Sequence, residues 1–188
     1  MRALATRLEA AGEAVVTTRE PGGSPGAEAV RALLVEGHAD RWDATAELFL
    51  LVAARQDHLA RTIRPALAGG AWVLCDRFWD STRVYQAVVG GLPLAAVDAL
   101  HGDWLEPFRP GLTLVLDLPA ETGLARAAGG RFEAKGLAFH ERVREAYREL
   151  AAAEPARLRL VDAVGTPAAV ASRAAAVLDA YRFADASA

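Results

Sequence analysis

Leu74-Cys75-Asp76-Arg77-Phe78-Trp79-Asp80-Ser81-Thr82-Arg83-Val84-Tyr85-Gln86 is the stretch on which the reading of the fold turns. It follows on from the apolar run Trp72–Asp76, of the kind that a strand buried on both faces of a parallel sheet requires. In open α/β sheets ligands bind outside the carboxyl ends of the strands, so Asp76 and Arg77 stand where a ligand would lie. A carboxylate there can hold a water of a bound magnesium ion, and the neighbouring guanidinium can grip a phosphate through two parallel hydrogen bonds. Taken alone, an Asp-Arg pair is more often a surface ion pair capping its strand.

Outward from this stretch the chain alternates between helical and strand patterns, which predicts an α/β fold with a parallel sheet. Ala14–Thr18, Leu112–Leu118 and Leu158–Asp162 read as further buried strands. Arg2–Ala11 reads as an amphipathic helix, with Leu4 and Leu8 four apart and Gly12 as its stop. Pro25–Glu36, Thr45 to about Leu67, Phe139–Ala153 and Pro167–Tyr181 read as the other helices. Residues 1–183 form one expected domain, and Ala184–Ala188 a frayed tail.

A chain of 188 residues suffices for one core but not for two. The hydrophobic share of 53% and mean hydropathy of +0.14 describe a globular protein. No apolar run reaches the ~18 residues of a membrane span, and no signal-peptide pattern opens the chain. The single cysteine, Cys75, can close neither an internal disulfide nor a zinc cage, so a cytoplasmic location is expected. A net charge of −3 gives no general nucleic-acid surface. Of 21 basic residues only Lys135 is a lysine, so any chemistry that needs a lysine must use it.

Two more segments carry chemistry. Thr18-Arg19-Glu20-Pro21-Gly22-Gly23-Ser24 is, as a bare pattern, a turn. In Glu47-Leu48-Phe49-Leu50-Leu51-Val52-Ala53-Ala54-Arg55, the residues Glu47, Leu51 and Arg55 are spaced by four and share one helix face. Phe49 points away from that face.

Together these segments resemble the thymidylate kinase family, and the resemblance runs from the first helix to Tyr181. The run Asp76-Arg77-aromatic, two free residues, Ser-Thr, one free, a small apolar residue and Tyr-Gln fits the family signature position for position. The family's Thr-Arg-Glu-Pro-Gly-Gly string stands about fifty residues before it. The resemblance implies that Arg77 binds the acceptor phosphate and that Asp76 serves the phosphate and metal network. Ser81, Thr82, Tyr85 and Gln86 would line the nucleoside pocket, with Tyr85 crowding the sugar where a 2′-hydroxyl would sit. Glu20 and Pro21 would wall the monophosphate site, and Arg55 would bond a base carbonyl. The family stacks an aromatic ring on thymine four residues before that arginine, where this chain has Leu51. Gly123 to Glu133, followed by Phe139-His140-Glu141-Arg142-Val143-Arg144-Glu145, resembles the arginine-bearing lid that closes over ATP and the helix after it. Arg126 and Arg131 are the matching arginines, in a short lid near 126–136, and Gly130 replaces the usual aspartate.

The implied activity is transfer of the γ-phosphoryl of ATP to dTMP, giving dTDP, with Mg2+ and in a homodimer. Yet the Gly-x-x-x-x-Gly-Lys-[Ser/Thr] loop that holds ATP phosphates in this class occurs nowhere in the 188 residues. The first helix starts at residue 1 with no cap and no strand before it. The expectation is therefore a parallel sheet flanked by helices that lacks its first, central strand and the P-loop after it, about 15–20 residues in all. The family strand order would put Ala14–Thr18 and Trp72–Asp76 on one side of that gap, and the other two strands on the far side. Two alternatives remain: a non-catalytic relative kept for nucleotide binding or dimerisation, and a kinase of the same fold for another nucleoside or nucleotide.

Overall fold

The computed structural model describes residues 1–38, 41–104, 108–126 and 133–185. Its first half runs α1 (Arg2–Ala10), β1 (Val15–Arg19), α2 (Pro25–Val35), α3 (Ala44–His58), α4 (Arg64–Ala68) and β2 (Trp72–Asp76). The second runs α5 (Trp79–Thr82), α6 (Leu94–Trp104), β3 (Thr113–Asp117), α7 (Ala120–Arg126), α8 (Leu137–Ala153), β4 (Leu158–Asp162) and α9 (Pro167–Asp185). β1 pairs in parallel with β2, Val15 opposite Trp72 and Arg19 opposite Asp76. β3 pairs in parallel with β4, Thr113 opposite Leu158 and Asp117 opposite Asp162. These are the α/β class and the two neighbour pairs that the sequence predicts. Among the described residues no strand joins one pair to the other.

Local chemistry explains most boundaries. Asp43 caps α3 by accepting from the Ala46 N–H at 2.7 Å, and α2 opens on Pro25, which has no N–H to leave unpaired. The long helix expected to reach Leu67 is instead broken in register, because a π-helical stretch, Leu59–Ile63, separates α3 from α4. Pro65 cannot donate an i−4 hydrogen bond, and just before it the Arg64 N–H reaches back five residues to the Leu59 carbonyl. A second π-helical stretch, Arg83–Val88, extends α5.

The strands are less buried than their apolar sequences predict, with Leu116 exposed to 57% and Leu160 to 43%. In a two-stranded sheet each strand has a neighbour on one side only, so its side chains lose half of their lateral cover.

The core lies in two clusters. Leu48, Leu59, Ile63, Phe78, Trp79, Ala87 and Val97 pack α3, α5 and α6 with Val73 and Cys75 of β2. Val84, Val143, Ala146, Leu150, Ala151 and Leu158 pack α8 with β4 and Val115 of β3. The helical run from Trp79 to Val88 contributes to both, so it joins the two strand pairs. Its ionic anchor is Asp80, 3% exposed, whose two carboxylate oxygens accept from Arg157 Nη1 and Nη2 at 2.8 and 2.7 Å. Thr113 at the start of β3 donates to the same carboxylate at 2.8 Å, and Glu154 accepts from Arg157 and from Arg83. At the opposite end, Arg7 pairs with Asp179, and Arg182 with Glu13 at 2.6 Å, docking α1 on α9.

Removing one partner of a buried pair leaves the other charge uncompensated, so Asp80→Ala should destabilise the protein by about 3–5 kcal/mol. Urea denaturation measures this. A loss under about 1 kcal/mol, the range of an exposed pair, would mean that Glu154 alone satisfies Arg157.

Candidate functional site

Each strand ends at its carboxyl edge on a charged residue: Arg19, Asp76, Asp117 and Asp162. At the end of β2, Asp76 and Arg77 are both exposed. Arg77 has φ = 64°, a left-handed conformation that costs a non-glycine residue about 1–2 kcal/mol. It turns the chain from β2 into α5, and its guanidinium lies 5.2 Å from the centroid of the Tyr85 ring. Ser81 Oγ lies 2.7 Å from the Tyr147 hydroxyl of α8. Burial pushes the Tyr147 phenol up to about 12, so at neutral pH it is a hydroxyl.

Behind this edge is a buried polar wall. Arg55 is 2% exposed, and its Nε and Nη2 both lie 2.7 Å from Glu20 Oε2. Nη2 also donates to Thr82 Oγ1 at 2.9 Å, and the guanidinium lies 5.1 Å over the Phe78 ring and 5.3 Å over Trp79. The other oxygen of Glu20 is 3.1 Å from His58 Nδ1, and His58 Nε2 is 2.7 Å from Thr18 Oγ1. Gln86, also buried, donates to Glu47 Oε2 at 3.1 Å. Glu47, Leu51 and Arg55 thus share the face that their spacing predicts. Leu51 is half-buried and belongs to neither core cluster, while Phe49 is 58% exposed.

The turn from Glu20 to Ser24 is fastened to α3, to the π-helical stretch after it and to α2. Ser24 Oγ donates to Asp57 Oδ2 at 2.6 Å, Thr62 Oγ1 donates to the Gly23 carbonyl at 2.7 Å, and the Pro21 carbonyl accepts from Arg31 at 2.7 Å. Gly23 has φ = 83°, and a Cβ there would collide with Thr18 Oγ1 and His58 Nε2. Only glycine meets both demands.

The structure therefore brings Glu20, Arg55, Thr82 and Gln86 into one buried wall, with Asp76, Arg77, Ser81 and Tyr85 along the strand edge beside it. Pro21 lies in the fastened turn. Arg126, at the end of α7, donates to the Ala163 carbonyl after β4 at 3.5 Å, and Arg131 lies outside the described residues. Sequence reasoning gave no role to Thr18, His58 or Tyr147. His58 stands three residues after Arg55 and so on the same helix face, a signal that was there to be used. Among the described residues no three His, Cys, Asp or Glu side chains cluster as a metal site. A single exposed carboxylate such as Asp76 fits a magnesium ion that keeps several waters and takes other ligands from nucleotide phosphates.

A parallel-stranded α/β protein with a guanidinium exposed at its carboxyl edge, beside a buried polar wall, is built to hold a phosphate-bearing ligand. The model of one family, Thymidylate kinase, matches residues 1–173. A thymidylate kinase of Caulobacter vibrioides is 58% identical over 167 residues, covering 87% of this chain and 80% of that protein. One of Rhizorhabdus wittichii is 51% identical over 180 residues, covering 92% and 86%. The crystal structure of thymidylate kinase from Ehrlichia chaffeensis matches with a TM-score of 0.71 at 29% identity, over 93% of this chain and 86% of that one. The chain belongs to the thymidylate kinase family, whose members are phosphotransferases.

Asp117, ending β3, accepts from Arg144 at 2.6 and 3.0 Å and from Arg148 at 3.2 Å. The Arg144 hydrogen bonds hold its carboxyl below the ordinary carboxylate value. A depressed folded-state pKa contributes stability above the unfolded value, and that stability is lost as pH falls through the folded one. Asp117→Asn should accordingly be less stable than the parent at pH 7, with the gap closing progressively below about pH 4. Urea unfolding across a pH series reads the gap. One that did not change with pH would show that the contribution is not ionic.

Proposed function

We propose that this chain carries the acceptor side of a dTMP kinase, which passes the γ-phosphoryl of ATP to dTMP and yields dTDP. The observation that carries the reading is the placement of Arg77, exposed at the end of β2, beside the buried wall of Glu20, Arg55, Thr82 and Gln86. A monophosphate fits the first and a neutral, carbonyl-bearing base fits the second. The names of the Caulobacter and Rhizorhabdus relatives support the same substrate.

In this reading Arg77 grips the acceptor phosphate, Tyr85 and Ser81 border the sugar, and Leu51 gives the base an apolar surface in place of a ring. Asp76 holds a water of the magnesium that accompanies ATP. Magnesium supplies charge neutralisation between the donor phosphates when bound, while the protein positions the two substrates. Arg126 and Arg131 are assigned to the ATP side by the family resemblance alone. Among the described residues no strand joins β1–β2 to β3–β4, and the glycine-rich loop that cradles donor phosphates in this class does not occur within these 188 residues.

Loss of one charge-assisted contact is worth about 1.5–3 kcal/mol, so Arg77→Ala should weaken dTMP binding roughly ten- to hundredfold. Calorimetric titration of dTMP into both proteins decides it, and equal affinities would remove Arg77 from the acceptor site. With ATP and magnesium added, the 188-residue chain should bind dTMP yet release no ADP in a coupled assay. Steady turnover would show that a donor-phosphate loop lies within these residues after all.

A further inference from the structure

We infer that Glu20 is the positioning residue for Arg55, with His58 and Thr18 behind it, and that Arg55 offers Nη1 to the base. The inference rests on the reading of Arg55 as the base-facing group.

The hydrogen bonds among these groups are complete except at one atom. Glu20, ionised, can only accept. It accepts from Arg55 Nε and Nη2 on one oxygen and from His58 Nδ1 on the other. Facing a carboxylate, His58 Nδ1 carries a proton, and its Nε2 lies 2.7 Å from the Thr18 hydroxyl. Arg55 Nη2 spends its second proton on Thr82. Arg55 Nη1 is buried and has no hydrogen-bond partner. A guanidinium nitrogen left over from an otherwise satisfied buried network demands an acceptor, because buried donors are almost always paired. Phe78 and Trp79 hold the guanidinium plane, and Glu20 sets its rotation about Cδ–Nε, so the direction of Nη1 is fixed before any ligand arrives.

The chemistry that such a nitrogen selects is a carbonyl oxygen, and it rejects an amino group, which would set donor against donor. dTMP and 5-methyl-dCMP differ at C4, carbonyl against amino, and with it at N3, which bears a proton only in thymine. A change in the ratio of their affinities on altering Glu20 therefore reports the aim of Nη1, whereas general damage to the fold lowers both affinities together.

The test is calorimetric titration of both nucleotides into the parent chain, Glu20→Gln, Glu20→Asp and His58→Gln. The parent should prefer dTMP by a hundredfold or more. Glu20→Gln should lose at least tenfold in dTMP affinity while 5-methyl-dCMP changes less than threefold, and Glu20→Asp should recover part of the preference. If Glu20→Gln fails to fold, His58→Gln decides, and its ratio should fall at least threefold. A folded Glu20→Gln with an undiminished ratio, or an unchanged ratio in His58→Gln, overturns the inference. No preference in the parent chain would instead overturn the reading of Arg55 on which it rests.

Discussion

Both oxygens of Asp80 are held by Arg157, and through that pair the first two strands keep their place relative to the last two. Asp80 follows β2 by four residues, while Arg157 directly precedes β4 and its carbonyl accepts the Thr113 N–H at 2.9 Å. The bridge thus reaches the start of both strands of the second pair. No strand among the described residues does this work. Apolar packing alone is tolerant of sliding, whereas a fork-to-fork guanidinium–carboxylate pair permits one distance and one plane. The register between the Arg77 edge and the Asp117 edge follows from it.

The near-absence of lysine gains meaning in this light. Arg157, Arg83, Arg144, Arg55 and Arg31 each join elements distant in sequence, and most of them contact more than one acceptor or reach a carbonyl with the tip of the fork. A lysine ammonium has no fixed plane and is more strongly hydrated, so it would be a poorer joint at these buried and half-buried positions. A composition set by codon bias is compatible with this use. The packing has taken up a rigid cation wherever one was supplied.

Much of this was legible in the sequence. Trp72–Asp76 and Leu158–Asp162 were bounded correctly because each is a short, largely apolar segment that ends on an aspartate. β1 runs one residue beyond the expected Thr18 because Arg19, although charged, continues the pairing opposite Asp76. Helix α6 was passed over, although Pro93 stands just before it and Val97 and His101, both buried, are one turn apart. The helical run from Trp79 to Val88 was hidden by its own chemistry. Its polar residues are spent on Arg157, Tyr147, Arg55 and Glu47, so they do not line up as a simple amphipathic face. The clamp on Arg55 was out of reach for a different reason. Glu20 is 35 positions away, and no local spacing rule pairs residues across that distance.

The fastening of the Gly23 carbonyl by Thr62 ties the turn to the core. Thr62 lies inside Leu59–Ile63, where the helix follows a π path. Such a stretch is an α-helix that has taken in one residue more than its turn requires. Leu59 and Ile63, from the same few positions, are among the most deeply buried residues in the molecule. The extra residue is therefore locked in on the inner side by the core and on the outer side by the turn it grips. Excising one residue there would swing Thr62 off its carbonyl and disturb the core in the same stroke. The length of this one helical run therefore constrains the turn and the core together.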